Sequence, residues 1–233
     1  MLELKRIVSF KEEDFDADEH IKASSLMYCF QEIASEHADI LELGFEQLIK
    51  ENLIWVMNKL KFRIYGKLKP ETGYEVSTYP RQKRAATWFR DYYVHDVSGK
   101  LLAAGTSQWC MINFETRKIE RTDMDFEGEY TERRAFEEGI ERIRIPELEE
   151  AGEHIVLEED IDVNRHTNNC KYADMIGEVL KRNDYESFTI NFSHETMLGD
   201  RIIFYKGETD GNTIVVGRTA EGRQVFQASV KLR

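Results

Sequence analysis

The chain has 233 residues, of which 41% are hydrophobic and 33% charged, and its formal net charge at pH 7 is −12. This length supports one large domain or two small ones with a real hydrophobic core. The acidic balance argues against nucleic-acid binding, which needs a cationic surface to neutralise phosphates.

Targeting and metal-binding signals are weak. No apolar run is long enough to cross a membrane, and the N-terminus lacks the pattern of a signal peptide, so we expect a cytoplasmic protein without membrane insertion. The three cysteines, Cys29, Cys110 and Cys170, are too scattered for a disulfide framework or a metal cluster and are expected to be buried thiols. The histidines lack a convincing ligand spacing, so we predict no metal and no cofactor.

In the first half, apolar residues at spacings of three and four predict a helix over residues 23–43. A strand follows at WVMNKLKFRIY, in which alternation places the basic side chains toward water. Further strands are predicted at GYEVSTY, TWFRDYYVHD and KLLAAGTSQWCMIN.

A basic island interrupts this acidic chain between residues 59 and 84. Its charges are either a solvated strand face or a docking surface for an acidic macromolecule, because local potential rather than net charge steers encounter. Its candidate docking residues are Lys59, Lys61, Arg63, Arg81, Lys83 and Arg84.

The second half repeats this order of elements. The segment HIVL predicts a short strand, residues 167–181 a helix, and four strands are predicted at SFTINF, RIIFYKGE, NTIVVGRT and QVFQASVKL. The repetition predicts an α+β fold in tandem, with two antiparallel sheets that each curl around a central helix to cover its apolar face. We expect an N-terminal domain over residues 1–122, a charged linker over 123–152 and a C-terminal domain over 153–233.

The polar cluster DVNRHTNN precedes the predicted second helix. Asp, Asn and Thr are preferred capping and turn residues, so a structural cap is one interpretation. An active site is the other, because unpaired N–H groups at a helix N-terminus stabilise an oxyanion. A weak match between Asp16-Ala-Asp18-Glu-His20 and Asp162-Val-Asn164-Arg-His166 also indicates an internal repeat.

The segment IDVNRHTNNCKY resembles the motif region of the acyl-ACP thioesterases of plants and bacteria. The segments NLIWVMNKLKFRIYGKLKPETGYEV, RDYYVHDVSGKLLAAGTSQWCMINFETRKI and FTINFSHETMLGDRI resemble blocks of the same family in the same order. Together they cover most of the chain. The resemblance implies a double hot-dog fold, with the acyl-chain pocket in the N-terminal half.

The resemblance also implies the site residues. Asp162, Asn164 and His166 match the catalytic acid, amide and imidazole, and Glu195 matches a second catalytic carboxylate. Thr196 stands where many plant members have cysteine, so a cysteine nucleophile is not available there. The implied reaction is hydrolysis of a fatty acyl thioester by carboxylate-activated water, and the sequence leaves open which carboxylate is the base. Strict strand alternation would place Glu195 away from the buried face. Either the active site lies on that other face near the strand end, or a bulge near Ser193 re-aims the side chain.

The implied partner is acyl carrier protein carrying a fatty acyl chain, and a homodimer stays open. For the acyl tunnel, the candidates Met27, Phe30, Met57 and Trp88 are equally well explained as core residues. An acyl-CoA thioesterase on the same fold and a non-enzymatic acyl-thioester-binding regulator are the alternatives, and a related dehydratase would not explain the Asn-rich motif.

Overall fold

The computed structural model describes residues 2–162 and 164–233. Its helices are α1 (Ala23–Ile40), the single-turn α2 (Phe45–Leu48) and α3 (Asn169–Leu180). The strands of the first half are β1 (Leu4–Ser9), β2 (Leu53–Ile64), β3 (Gly73–Arg84), β4 (Thr87–His95) and β5 (Leu101–Asn113). Those of the second half are β6 (Glu149–Ile155), β7 (Tyr185–Phe192), β8 (Arg201–Thr209), β9 (Asn212–Thr219) and β10 (Gln224–Leu232).

The first compact unit consists of the residues up to Phe10, Cys29–Gly66 and Glu71–Ile140. Its strands pair antiparallel in the order β1-β3-β4-β5-β2. The α1 ring of Phe30 stacks on Tyr92 of β4 with centroids 4.5 Å apart. Gly105 of β5 leaves room for that ring, since a Cβ there would approach it to 2.6 Å. Aromatic stacking thus joins α1 to the sheet.

The second unit consists of Lys11–Tyr28, Lys67–Pro70 and Glu141–Arg233. Its strands pair antiparallel in the order β7-β10-β9-β8-β6. Helix α3 buries Tyr172, whose ring centroid lies 5.3 Å from that of Phe226 on β10. Burial of this apolar helix face against the sheet is the main source of the helix's stability.

Most predicted elements are present, with small changes of boundary. Helix α1 ends at Ile40, which is exposed although it belongs to the predicted apolar pattern. The strand predicted at HIVL begins earlier, at Glu149, inside the predicted linker. The fold is a mostly antiparallel α+β structure, as predicted. The described strands are not divided into two separate sheets, so the prediction of two sheets is not confirmed.

Residues 114–148, all within the described part of the chain, form neither helix nor strand. Two aromatic side chains anchor this segment, since Phe126 and Phe136 are buried in clusters of the first unit. Glu138 reaches Lys61 of β2, with Nζ and Oε1 2.9 Å apart. Lys61 is therefore buried, and the prediction that all basic side chains of β2 face water is wrong at this position. Alternation within a strand does not reveal that a distant segment covers its polar face.

The Lys61–Glu138 pair predicts a pH-dependent stability. The hydrogen bond from Lys61 lowers the pKa of Glu138 from 4.5 to about 2. A carboxyl group whose pKa is lower in the folded than in the unfolded state stabilises the folded state at pH values above its unfolded-state pKa. This contribution is lost as the pH falls from about 4.5 through 2. Glu138→Gln should therefore lower the free energy of unfolding at pH 7 by no more than about 1 kcal/mol, because the carboxylate is partly solvent-screened.

Urea unfolding at pH 7 and at acid pH tests this expectation. The difference between wild type and Glu138→Gln should shrink at the lower pH. The exposed neighbour Glu137→Gln is the matched control and should leave stability unchanged at pH 7. An equal effect of both variants would contradict a specific role of the Lys61 pair.

No helix among the described residues is long and apolar enough to cross a membrane.

Candidate active site

The polar cluster forms a tight turn before α3. The Oδ1 atom of Asp162 accepts hydrogen bonds from the backbone N–H groups of Asn164 at 2.8 Å and His166 at 3.4 Å. The backbone N–H of Asp162 donates in turn to the His166 carbonyl at 2.9 Å. Arg165 adopts a left-handed conformation, with φ of 64°, which closes the turn. Asp162 therefore shapes the turn that presents Asn164 and His166.

The residue that caps α3 differs from the candidate site residues, although both belong to the same segment. Asn168 is the N-cap of α3, and its side chain accepts from the backbone N–H of Cys170 at 2.9 Å. The Asn168 carbonyl accepts from the N–H of Lys171, also at 2.9 Å. Two N–H groups of the first turn of α3 are thus already bonded. An oxyanion at this helix end would compete with the cap, which weakens that part of the sequence interpretation.

The same turn occurs before α1. Asp16 Oδ1 accepts from the N–H groups of Asp18 at 3.0 Å and His20 at 2.8 Å, and Glu19 adopts φ of 59°. A short 3-10 helix precedes each turn, at Glu12–Asp14 and Glu158–Asp160. The weak sequence repeat thus corresponds to a repeated local structure. In the first copy Asp18 replaces the amide of Asn164.

Glu195 lies close to His166 in the folded chain. The Nε2 atom of His166 and Oε2 of Glu195 are 3.5 Å apart, and the imidazole is 18% exposed against 43% for the carboxylate. Asn164 is exposed and Asp162 half-buried. All four predicted site residues belong to the second unit, and the turn before α3 and the loop after β7 supply them.

A local irregularity places Glu195. Strand β7 ends at Phe192, and the N–H groups of Ser193 and His194 both donate to the Val225 carbonyl, at 2.8 and 3.1 Å. Two residues thus oppose one, as in a β-bulge. Of the two sequence alternatives, the bulge near Ser193 is the observed one. The following residues leave the strand, so strict alternation no longer applies to Glu195.

Thr196 anchors the loop that carries Glu195. Its buried hydroxyl lies 2.7 Å from that of Thr167 and 2.9 Å from that of Tyr172. The backbone N–H of Thr167 donates to the Thr196 carbonyl at 2.8 Å. These bonds join the loop to the residue that follows His166. Sequence reasoning missed this cluster, although the position of Thr196 next to Glu195 was a usable signal.

The predicted basic island is only partly available to a partner. Lys61 is bound to Glu138, Arg63 donates to the same carboxylate at 2.7 Å, and the guanidinium of Arg81 lies 3.3 Å from Asp91. Lys83 donates to the backbone carbonyl of Thr122 at 3.0 Å. Lys59 is half-buried and Arg84 is exposed. The structure therefore gives four of the six basic residues intramolecular partners.

A pocket of about 410 Å³ including its mouth opens in the first unit. Trp88, Trp55 and Trp109 line it, together with Phe126 and part of α1. Of the predicted tunnel residues only Trp88 lies on its wall, whereas Met27, Phe30 and Met57 are buried core residues. The pocket has the aromatic lining of a site for an apolar ligand.

The solved structures with a similar fold include acyl-ACP thioesterases. An acyl-ACP thioesterase from Bacteroides thetaiotaomicron has a TM-score of 0.87 at 19% identity, covering 99% of this chain and 97% of that one. A 12:0-ACP thioesterase from Umbellularia californica has a TM-score of 0.84 at 18% identity, covering 100% and 98%. These similarities show a fold of the hot-dog type.

Sequence models of two domains identify the family. Residues 4–130 match the acyl-ACP thioesterase N-terminal domain, and residues 147–231 match the C-terminal domain. The chain belongs to the acyl-ACP thioesterase family.

Curated plant relatives are longer than this chain. A chloroplastic oleoyl-acyl carrier protein thioesterase from Coriandrum sativum is 26% identical over 73% of this chain and 53% of its own length. A chloroplastic palmitoyl-acyl carrier protein thioesterase from Cuphea hookeriana is 26% identical over 80% and 50%. The chain thus spans about half the length of these relatives.

Proposed function

We propose that this protein hydrolyses fatty acyl thioesters of acyl carrier protein to free fatty acid and holo-carrier protein. The observation that carries this proposal is the approach of His166 to Glu195, at 3.5 Å, beside the turn that presents Asn164. A carboxylate–imidazole pair and an exposed amide are the groups that water activation and oxyanion binding require. Membership of the acyl-ACP thioesterase family supports the same reaction.

In the proposed mechanism Glu195 removes a proton from water as the water oxygen attacks the thioester carbonyl carbon. His166 orients Glu195 and the water, and the side-chain N–H of Asn164 donates to the developing oxyanion. Collapse of the tetrahedral intermediate breaks the C–S bond and releases a thiolate, which takes up the proton from Glu195 and so regenerates the base. A free thiol has a pKa of about 8.5, so the thiolate leaves without a strong general acid.

Asp162 has a positioning role in this mechanism. Two backbone N–H groups already engage its Oδ1, and the amide nitrogen of Asn164 lies 3.5 Å from Oδ2. Glu195 is more exposed and lies beside the imidazole. We therefore assign the base to Glu195 and the support of Asn164 to Asp162. Thr196 is not a nucleophile in this scheme, since its hydroxyl is buried among two other hydroxyls.

The test is thiol release from acyl carrier proteins loaded with chains of different length. Turnover of each acyl carrier protein is compared with turnover of the acyl-CoA that has the same acyl chain. Faster turnover of the carrier-protein thioester supports the proposed substrate. Equal or better turnover of acyl-CoA would favour the acyl-CoA alternative. Binding without thiol release would indicate a ligand-binding regulator instead of an enzyme.

Acyl carrier protein is strongly acidic, so we propose that it docks on the available part of the basic island. Lys59→Glu and Arg84→Glu are expected to lower kcat/KM for acyl-carrier protein by about tenfold, because opposite potentials steer association. Turnover of a small soluble thioester should not change. Raising the salt concentration should reduce the effect. Equal loss on both substrates would contradict docking at this surface.

The same proposal includes a tandem hot-dog organisation with domains at residues 1–122 and 153–233, joined by residues 123–152. Matches to two family domains in that order support it. A cytoplasmic location and a homodimer stay predictions.

A further inference from the structure

A buried cation lies on the wall of the apolar pocket in the first unit. Arg90 of β4 is only 5% exposed and shares this pocket with Trp55, Trp88 and Trp109. Its Nη1 atom lies 2.9 Å from Nδ1 of His37 and 3.3 Å from the Thr78 hydroxyl. Among the described residues no carboxylate is within salt-bridge distance of this guanidinium.

The partners of Arg90 do not neutralise its charge. Burial, with the neighbouring Arg90 charge, lowers the pKa of His37 to about 4, so the imidazole is neutral at pH 7 and can accept a hydrogen bond. Burial also lowers the pKa of Arg90, to about 10, which leaves it protonated at that pH. The Phe126 ring lies 5.6 Å from the guanidinium and adds a cation–π contact. A buried charge without a counter-charge is unfavourable.

A second donor on the pocket wall lacks a partner. The indole N–H of Trp55 donates to the Leu43 carbonyl at 2.8 Å, and that of Trp109 donates to Ser107 at 2.7 Å. The indole nitrogen of Trp88 is buried and has no hydrogen-bond partner among the described residues. Buried donors are ordinarily satisfied, so an unpaired one on a pocket wall favours a ligand that carries an acceptor.

We propose that this pocket binds a carboxylate carried on an apolar chain, with the carboxylate against Arg90 and the indole N–H of Trp88. An anion would compensate the buried guanidinium, and the aromatic wall would cover the chain. Two sources share this chemistry. One is the free fatty acid, the product of the proposed reaction, and the other is the distal carboxylate of a dicarboxylic acyl group. Binding of such a ligand does not require the proposed hydrolysis. The assignment of the ligand as a product or as part of a substrate, however, rests on the proposed function.

Binding is measured through intrinsic fluorescence, because all three tryptophans of the chain line this pocket. Decanoate and 1-decanol are titrated below their aggregation limits, so that the head group is the main difference. Wild type should bind decanoate at least about tenfold more tightly than 1-decanol. Arg90→Gln should remove this preference, whereas Arg121→Gln, an exposed arginine of the same unit, should retain it.

Trp88→Phe is the second variant, and it serves as the test if Arg90→Gln does not fold. It removes the indole N–H but keeps an aromatic side chain on the pocket wall. It should weaken decanoate binding several-fold and leave 1-decanol binding unchanged. Equal wild-type affinity for both ligands would overturn the proposal. If Arg90→Gln folds and still prefers decanoate to 1-decanol, the proposal is overturned as well. If only Trp88→Phe folds, an unchanged preference for decanoate in that variant would overturn it.

Turnover distinguishes the two sources. If the ligand is the product, decanoate should inhibit wild-type hydrolysis of a decanoyl thioester competitively and Arg90→Gln much less. If it is a distal carboxylate, the half-thioester of sebacic acid should be hydrolysed with a higher kcat/KM than the decanoyl thioester, and Arg90→Gln should lose that advantage. A protein that binds decanoate selectively but releases no thiol would contradict the proposed hydrolase and leave the binding site intact.

Discussion

Replacing Glu195 with alanine is expected to lower kcat for acyl-carrier protein hydrolysis by at least about a hundredfold. The variant retains His166 and Asn164 but loses the carboxylate that accepts the proton of water in the proposed mechanism. Because the carboxylate is 43% exposed, its removal should leave the thermal stability nearly unchanged. Thiol release under saturating substrate measures the effect, and Glu178→Ala, an exposed carboxylate of α3, is the matched control.

Chemical rescue separates the base from a positioning residue. Added formate should restore part of the activity of Glu195→Ala, since a small carboxylate can occupy the vacated position. Asp162→Ala should lose activity to a similar extent, because its Oδ1 bonds hold the turn that presents Asn164 and His166. Formate should not restore this second variant. Rescue of Asp162→Ala alone would assign the base to Asp162 and contradict the proposed division of roles.

Replacing Thr196 with valine is expected to lower the free energy of unfolding by about 1–3 kcal/mol. Valine has nearly the same shape, but it leaves the buried Tyr172 hydroxyl without the bond that now measures 2.9 Å. Turnover should fall by about tenfold as well, because the loop that positions Glu195 loses part of its attachment. Urea unfolding and thiol release measure the two effects.

Two further variants control this experiment. Thr196→Ser retains the hydroxyl and should retain most of the activity, although it loses a buried methyl group. Thr189→Val makes the same substitution at a half-buried position of β7 and should have little effect on either quantity. A stable Thr196→Val enzyme with wild-type turnover would show that the hydroxyl cluster does not position Glu195.

The repeated turn indicates how one half of the chain can differ chemically from the other. Asp16 and Asp162 make the same backbone hydrogen bonds, so the conformation depends on the acid and on the left-handed residue that follows. The exposed position of the turn holds Asp18 in one copy and Asn164 in the other. A carboxylate cannot donate to an oxyanion, whereas an amide can. In the proposed mechanism, the first copy therefore lacks the oxyanion donor that Asn164 supplies in the second copy.

Local patterns in the sequence predicted strands β2 to β10 and the two long helices, but not β1. Alternation with period two and spacings of three and four depend only on which face of an element is buried, and this information is local. The motif DVNRHTNN likewise contains its own turn, since Asp162 bonds to the backbone of residues within four positions. The family resemblance supplied Glu195, which no local pattern would have selected.

Tertiary structure alone decided which polar groups lose contact with water. Lys61 is buried because Glu138, far along the chain, covers it, and Arg90 is buried although TWFRDYYVHD reads as an ordinary strand. The approach of Glu195 to His166 depends on a bulge and on hydroxyl bonds between Thr196, Thr167 and Tyr172. Such contacts join residues distant in sequence. Their geometry follows from the packing of whole elements, which the periodicity of any one element does not specify.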